Sequence, residues 1–284
     1  MTMLVGWIAV DQRSPASAYI ASDSRFTWGG PQSTVFEYGR KVFACKNSAD
    51  IFAYCGDVLF SSLALARVVE MADNGLLYES DANSNQRHEA FNRHLMKLAS
   101  YYPTNAIGNN IQIYHISRDT DAQFKFFNYS YNKKINEWNS SVIEPDLTKS
   151  GIVFTGGIGK KEFDELYLRY QTGMNADTSR NIFQCFCDCL QHKAPVLCGG
   201  APQLVGLYRV SQSAKAAKKS ICNGINYGII WNEERYYLGS KVDKPEKYDI
   251  IRWYNNCFEI CDCKTMQRKQ NAMIQPNPFF SATP

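Results

Sequence analysis

The sequence predicts an α+β fold, a four-layer αββα sandwich in which two antiparallel sheets face each other and a helix pair covers each outer side. Three observations lead there. Strand and helix patterns come in groups rather than alternating singly, which disfavours a doubly wound parallel sheet. The helical patterns come in twos, and the first strands are joined by short polar turns that read as hairpins. The 284 residues, 45% hydrophobic and 20% charged, are enough to bury one large core.

Taken in order, Met3–Val10 is a short apolar run that reads as a buried strand, since it lacks the basic flank and the small-residue cleavage site of an export signal. "DQRSPAS" is a turn and "AYIASDS" the returning strand. "KVFAC" and "DIFAYC" form a second strand pair around the turn "KNSA". Leu65, Val68, Val69 and Ala72 then follow helical spacing, and Phe91, Leu95, Leu98 and Tyr102 mark a second helix that stops at Pro103. "NIQIYHIS", "QFKFFNYSY" and "IVFTGG" return to strand patterns, with turns at "RDTD" and "YNKK".

A second helix pair is expected from Phe163, Leu166, Tyr167 and Tyr170, then from Ile182, Phe186, Cys189 and Leu190 behind a Thr178/Ser179 cap. "QLVGLYRV" closes the main pattern as a strand. Beyond about residue 220, "YGIIWNEERYYLG" reads as a hairpin, "DIIRWYNNCFEI" as a short helix and "QPNPFFSATP" as an irregular tail. The expected division is a domain over 1–219 and an extension over 220–284.

Composition excludes several functions. Thirty-one Lys+Arg against 27 Asp+Glu leave a net charge of +4, too small and scattered for a nucleic-acid surface. The densest basic run, "SAKAAKKS" at 213–220, reads as a solvated loop. No stretch reaches the roughly 18 apolar residues of a membrane span. The ten cysteines are expected as reduced thiols of a cytoplasmic protein. "CFCDC" and "CDC" lack the spacing of a zinc knuckle, so no metal or cofactor is expected, and Cys185 and Cys189 share a helix face as core filling.

Most catalytic patterns fail as well. "GGIGKK" at 156–161 lacks the spacer and the Ser/Thr of a phosphate loop. The four histidines, His88, His94, His115 and His192, are isolated in sequence, and no serine sits in a G-x-S-x-G elbow. Thr2 differs. Removal of Met1 would leave a threonine with a free α-amine, nucleophile and base in one residue, because an α-amine ordinarily titrates at about pH 7.7–8.0 and can take the hydroxyl proton without histidine. A buried lysine would tune that amine, an aspartate would compensate the lysine, and backbone N–H groups after a strand would hold the oxyanion. Asp23, Lys41 and the turn around Gly56 are placed to supply these parts.

At these residues the chain resembles the proteasome β-type subunits and the bacterial ring-shaped ATP-dependent peptidase, threonine-dependent N-terminal nucleophile (Ntn) hydrolases. "TMLVG" (2–6) is similar to the family's mature start, "ASDSRFTWG" (21–29) to its Asp-Ser-Arg block, "RKVFA" (40–44) to its Lys-Val segment and "YCGD" (54–57) to its oxyanion turn. "VFTGG" (153–157) resembles its Gly-Ser-Gly-Gly turn, and "LCGGAPQLVGLYRV" (197–210) its closing strand. The six blocks cover roughly residues 2–212.

The resemblance implies Thr2, Asp23 and Lys41 as catalytic residues, Gly56 as oxyanion donor and Thr155 beside the terminal amine. It also implies Thr27 as the backbone that aligns substrate, Tyr54 as a pocket wall and Cys198 at a serine position. Cys198 departs from the family's serine, and Pro195 stands where the family has an aspartate. The implied activity is hydrolysis of peptide bonds through an acyl-enzyme, in a homo-oligomeric ring fed by an ATP-dependent unfoldase. The alternatives are a catalytically silent structural subunit and a small-molecule amidase of the same superfamily.

Overall fold

The computed structural model describes residues 2–12, 14–29, 34–119, 123–210, 223–243 and 251–272. Met1, the basic run at 213–220 and the tail at 275–284 lie outside them.

Strands β1 (Met3–Asp11) and β2 (Ser14–Ser22) form the expected opening hairpin, in one register from Leu4 opposite Ser22 to Ala9 opposite Ser17 and shifted by one residue beyond, where Val10 meets Pro15 and Asp11 meets Ser14. β1 is apolar from Met3 to Val10 because both faces of its first six residues are covered: Met3, Val5 and Trp7 join one core cluster, Leu4 and Ile8 another. A small antiparallel pair, β3 (Phe26–Trp28) and β4 (Thr34–Phe36), follows. β5 (Val42–Ala44) and β6 (Asp50–Gly56) pair as expected.

Two helices come next. α1 (Val58–Asp73) is capped by Asp57, whose carboxylate accepts the Phe60 N–H at 3.1 Å, and α2 (Ser84–Tyr101) by a capping box between Asn83 and Gln86. β7 (Ile111–Arg118), β8 (Phe124–Asn132), β9 (Glu137–Ile143) and β10 (Gly151–Gly157) return to sheet. β9 has no buried face and therefore no periodic signature; it is an edge strand recruited by its backbone pairing with β8. α3 (Lys160–Tyr170) and α4 (Ser179–His192) follow, the latter capped by Thr178 on the Asn181 N–H.

β11 (Gln203–Tyr208) and β12 (Ile225–Asn226) complete one sheet in the order β10-β1-β2-β11-β12, while the other runs β5-β6-β7-β8-β9; both are antiparallel throughout. Leu4, Ile20, Ile51, Tyr114, Phe126 and Phe154 pack between these two sheets. Phe163, Tyr167, Phe183 and Phe186 of α3 and α4 pack on the β1 face that carries Val5 and Trp7. Phe60, Leu65, Val68, Phe91 and Leu95 of α1 and α2 cover the outer face of the second sheet against Phe52, Ile113 and Tyr129.

The last elements are β13 (Gly228–Trp231), β14 (Glu234–Tyr237), β15 (Ser240–Lys241), β16 (Trp253–Tyr254) and β17 (Ile260–Cys261). They form a mixed sheet in which β13 and β14 are the expected hairpin and β16 runs parallel to β13. The helix expected over 249–260 is not formed in its described part, residues 251–260. Trp253 and Tyr254 are taken by strand pairing, and the Asn255 side chain accepts the N–H groups of Cys257 and Glu259 at 3.0 and 2.9 Å to make a turn that ends with Phe258 at φ +58°. Phe258 then stacks on Tyr254 and packs edge-on against Tyr19, so these residues share the core of α3 and α4. Cys185, Cys187 and Cys189 lie fully buried in that same core as free thiols.

Candidate active site

Thr2 sits at the foot of β1, and the register of the opening hairpin decides what it meets. With Leu4 opposite Ser22, the next residue, Asp23, falls across from Met3. The Met3 N–H donates to Asp23 Oδ1 at 3.0 Å, and the Asp23 N–H donates back to the Met3 carbonyl at 3.2 Å. Lys41 Nζ reaches the same Oδ1 at 2.7 Å, and both charged side chains are completely buried. The second carboxylate oxygen accepts the Gly199 N–H at 3.0 Å and the Arg25 N–H at 3.4 Å. A buried ion pair is tolerated when its remaining lone pairs are satisfied, and these are.

Gln203, which the sequence had not suggested, ties the corner together. Its Nε2 donates to the carbonyls of Asp23 and Gly39 at 3.0 and 2.8 Å, and its Oε1 accepts the Lys41 N–H at 3.1 Å. Pro195 and Cys198 belong to the turn that presents Gly199: the Pro195 carbonyl accepts the Cys198 N–H at 2.8 Å. The Cys198 thiol is buried, and burial together with the Asp23 charge pushes it up to about 12.

Thr2 opens on a cleft of about 910 Å³ that Gly56 and Gly157 also line. Both glycines are needed for close backbone approach. Gly56 has φ +102° and a Cβ there would stand 1.8 Å from the Asn110 carbonyl oxygen; at Gly157, with φ +82°, a Cβ would stand 1.9 Å from the Thr2 carbonyl oxygen. Cys55 lines the cleft too, and burial pushes its thiol up to about 11, so at neutral pH it is protonated and is no rival nucleophile.

Thr2 and Gly56 thus share one cleft, and Asp23 and Lys41 are joined to its edge through Met3. Three expected residues are placed elsewhere. Thr155 stands opposite Val5, on the helix side of the sheet, and its hydroxyl accepts from Lys160 Nζ at 2.6 Å, with Lys160 also paired to Asp164. Tyr54 points into the core under α1 and α2 rather than into the cleft, and its hydroxyl donates to the Arg40 carbonyl at 3.2 Å. Strand alternation explains this: Cys55, one residue on, faces Thr2 instead. Thr27 pairs with Val35 in the small antiparallel pair, its hydroxyl 3.4 Å from the Leu197 carbonyl, outside the cleft lining.

The histidines are less isolated than the sequence suggests. His115 Nε2 lies 2.8 Å from Asp50 Oδ1, Arg87 reaches the other oxygen at 3.0 Å, and the His88 ring lies 6.2 Å from that of His115. Among the described residues, no group of three or more His, Cys, Asp or Glu is placed to hold a metal ion, and no helix is long and apolar enough to cross a membrane.

No family model matches the chain, and no curated protein matches it in sequence. Among solved structures, the Anbu complex from Pseudomonas aeruginosa, a helical assembly, superposes with a TM-score of 0.51 at 12% identity over 86% of this chain and 88% of that one. Anbu from Hyphomicrobium sp. strain MC1 gives 0.49 at 8% identity over 84% and 88%, and eukaryotic HslV from Trypanosoma brucei gives 0.44 at 11% identity over 74% and 100%. The chain is α+β with several antiparallel sheets and four helices among its described residues, and its fold is proteasome β-subunit-like.

Proposed function

We propose that the chain is a threonine-type hydrolase acting on peptide bonds, with Thr2 as its nucleophile once Met1 is removed. One observation carries the reading: a single buried carboxylate, Asp23, holds both the Met3 backbone and the Lys41 ammonium at the edge of a cleft that Thr2 and Gly56 line. Buried ions so arranged beside a concave surface are the usual setting of a tuned nucleophile. The packing of two facing sheets between helix pairs is read as the four-layer αββα sandwich of the Ntn hydrolases, with residues 1–219 as the hydrolase domain and 220–284 as its extension.

In the proposed reaction the Thr2 Oγ attacks the scissile carbonyl while the Thr2 α-amine accepts the hydroxyl proton. The Gly56 N–H stabilises the oxyanion. The carbon–nitrogen bond breaks, the leaving amine takes the proton, and an ester to Thr2 remains. Water, deprotonated by the same amine, then cleaves the ester, releasing the acid and restoring the hydroxyl. Lys41 supplies the positive potential that keeps the amine a base, and Asp23 holds Lys41. Tyr54 supports this from behind, by fixing the Arg40 carbonyl next to Lys41.

The same reading makes the chain a homo-oligomer, for which the helical assembly of the Anbu neighbour is the support, and extends to a ring, an unfoldase partner and a cytoplasmic location. A second reading, a silent structural subunit, is favoured by Thr155: the hydroxyl expected at the terminal amine lies on the other face of the sheet with Lys160. Turnover of quenched fluorogenic peptides by the purified full chain decides between them. Hydrolysis that disappears in Thr2→Ala supports the hydrolase. Absence of turnover across a diverse peptide set, in a correctly assembled protein, supports the silent subunit.

A further inference from the structure

Within the hydrolase reading, the walls of the cleft differ in chemistry from its floor. Opposite Thr2 the cleft is bounded by the turn between β8 and β9, which contributes Lys133 and Lys134, and by the loop 108–110. Lys133 is held in place twice: its N–H donates to Asn110 Oδ1 at 2.9 Å and its Nζ to the Gly108 carbonyl at 2.8 Å. The Lys134 N–H donates to Asn132 Oδ1 at 3.0 Å, which fixes the backbone from which that side chain projects.

Among the described residues, the lysines in ion pairs are Lys41, Lys149, Lys160, Lys161 and Lys241; neither cleft lysine is one of them. The lining holds no Asp or Glu, and Glu137, opposite Asn132 in register, is not part of it. The amides of Gln112 and Asn132 add neutral donors on the same walls. A concave site lined by one sign of charge concentrates the opposite sign.

We infer that Lys133 and Lys134 set a specificity for peptides carrying a carboxylate side chain within a few residues of the bond to be cut. This rests on the cleft being the substrate site of the proposed hydrolase. Lys133, fixed against Gly108, offers its remaining donors to such a carboxylate, and Lys134 supplies a second, adjustable cation. Neither takes part in bond breaking; both act on binding.

The test uses full-length Thr2→Ala protein, which cannot turn over substrate, and pairs of peptides that differ only by Glu or Gln, scanned through four positions on either side of one bond. At one or more positions the Glu peptide binds about fivefold tighter, the range of a partly exposed ion pair. The advantage shrinks as salt is raised and falls to nothing in Lys133→Gln/Lys134→Gln. Lys134→Gln alone, at a side chain with no hydrogen bond or ion pair among the described residues, loses a measurable share of it. Equal affinities for the Glu and Gln peptides at every position, or no binding by either, overturn the inference. Labelling of the wild-type chain by a threonine-directed probe reads the hydrolase separately: labelling without a Glu preference removes only the specificity, and a Glu preference without labelling removes only the hydrolase.

Discussion

Asp50 opens β6 and Gly56 closes it, about 20 Å further along the strand, and each end lies beside a buried carboxylate with a cationic partner. At the first end, Asp50 holds His115 and Arg87; at the second, Asp23 holds Lys41. In residue type and burial the two clusters are alike. Their remaining partners differ. Asp50 is surrounded by side chains, those of His115 on β7, Arg87 on α2, Ser48 in the β5–β6 turn and Tyr78 in the loop between α1 and α2, whereas Asp23 bonds the backbone of Met3, Arg25 and Gly199 and so fixes the first residues of the chain at the edge of a cleft. A buried ion cluster alone therefore does not mark an active site. Its tie to the residue that follows a cleft-lining threonine sets the Asp23 cluster apart.

Breaking each cluster separates the two roles. The largest effect is expected from Thr2→Ala: peptide turnover falls on the order of 10⁴-fold or more, while the unfolding midpoint in denaturant stays close to wild type. Next come Asp50→Ala and Lys41→Ala, each of which strands a buried ion and costs about 3–5 kcal/mol of stability. Chemical denaturation measures both. The fraction of Asp50→Ala that remains folded still labels with a threonine-directed probe, whereas Lys41→Ala does not; equal labelling of the two removes the distinction between the clusters.

The Asp50 end should also carry the pH dependence of stability. Burial lowers His115, outweighing the pull of Asp50, and burial lowers His88 to about 4. Both are depressed in the fold relative to the ordinary histidine value of about 6.5. The unfolded chain therefore takes up these protons first, so the stability is whole above about pH 6.5 and is lost as pH falls toward 4. Burial by itself would raise Asp50, but the His115 hydrogen bond and the Arg87 charge hold its carboxyl well below the usual range, which adds a further loss in strong acid. His94, lowered by burial and by the Arg67 and Lys97 charges, adds to this from α2, so unfolding midpoints between pH 7 and 4 should fall with an uptake of up to about three protons per molecule, and His88→Gln should flatten part of that fall. A flat profile in the wild type contradicts it.

The smallest effect belongs to Tyr54→Phe. Removing its bond to the Arg40 carbonyl costs about 1 kcal/mol and slows probe labelling only modestly, because the ring stays packed and Lys41 keeps Asp23. Abolished labelling would return Tyr54 to the cleft.

These outcomes follow what was legible in the chain. Thr2, Asp23, Lys41 and Gly56 carry little signal singly and come together in the sequence only through the family resemblance; in the structure Thr2 and Gly56 line one cleft, with Asp23 and Lys41 joined to its edge. Tyr54 and Cys55 could not be told apart, since "DIFAYCG" is covered on both faces and its composition carries no phase; a one-residue shift exchanges pocket wall for core. Thr155 lies on the helix side because the pairing of β10 with β1 sets it opposite Val5, a register that the sequence of β10 does not carry. Gln203 looked like the polar start of a strand, and its three bonds to the site arise from residues far away in sequence. β9 has no buried face to leave a pattern, and Trp253–Tyr254 formed a strand because β13 was there to pair with them. A short apolar run is ambiguous until its partner is known.

The proposed nucleophile is tested most directly by intact-mass measurement of the purified full chain, before and after treatment with a peptide epoxyketone, followed by peptide mapping. The predicted result is a chain that lacks Met1, gains one adduct and carries it on Thr2, with no adduct on Thr2→Ala. A chain that keeps Met1 and gains no adduct would contradict Thr2 as an N-terminal nucleophile and leave the silent subunit as the reading.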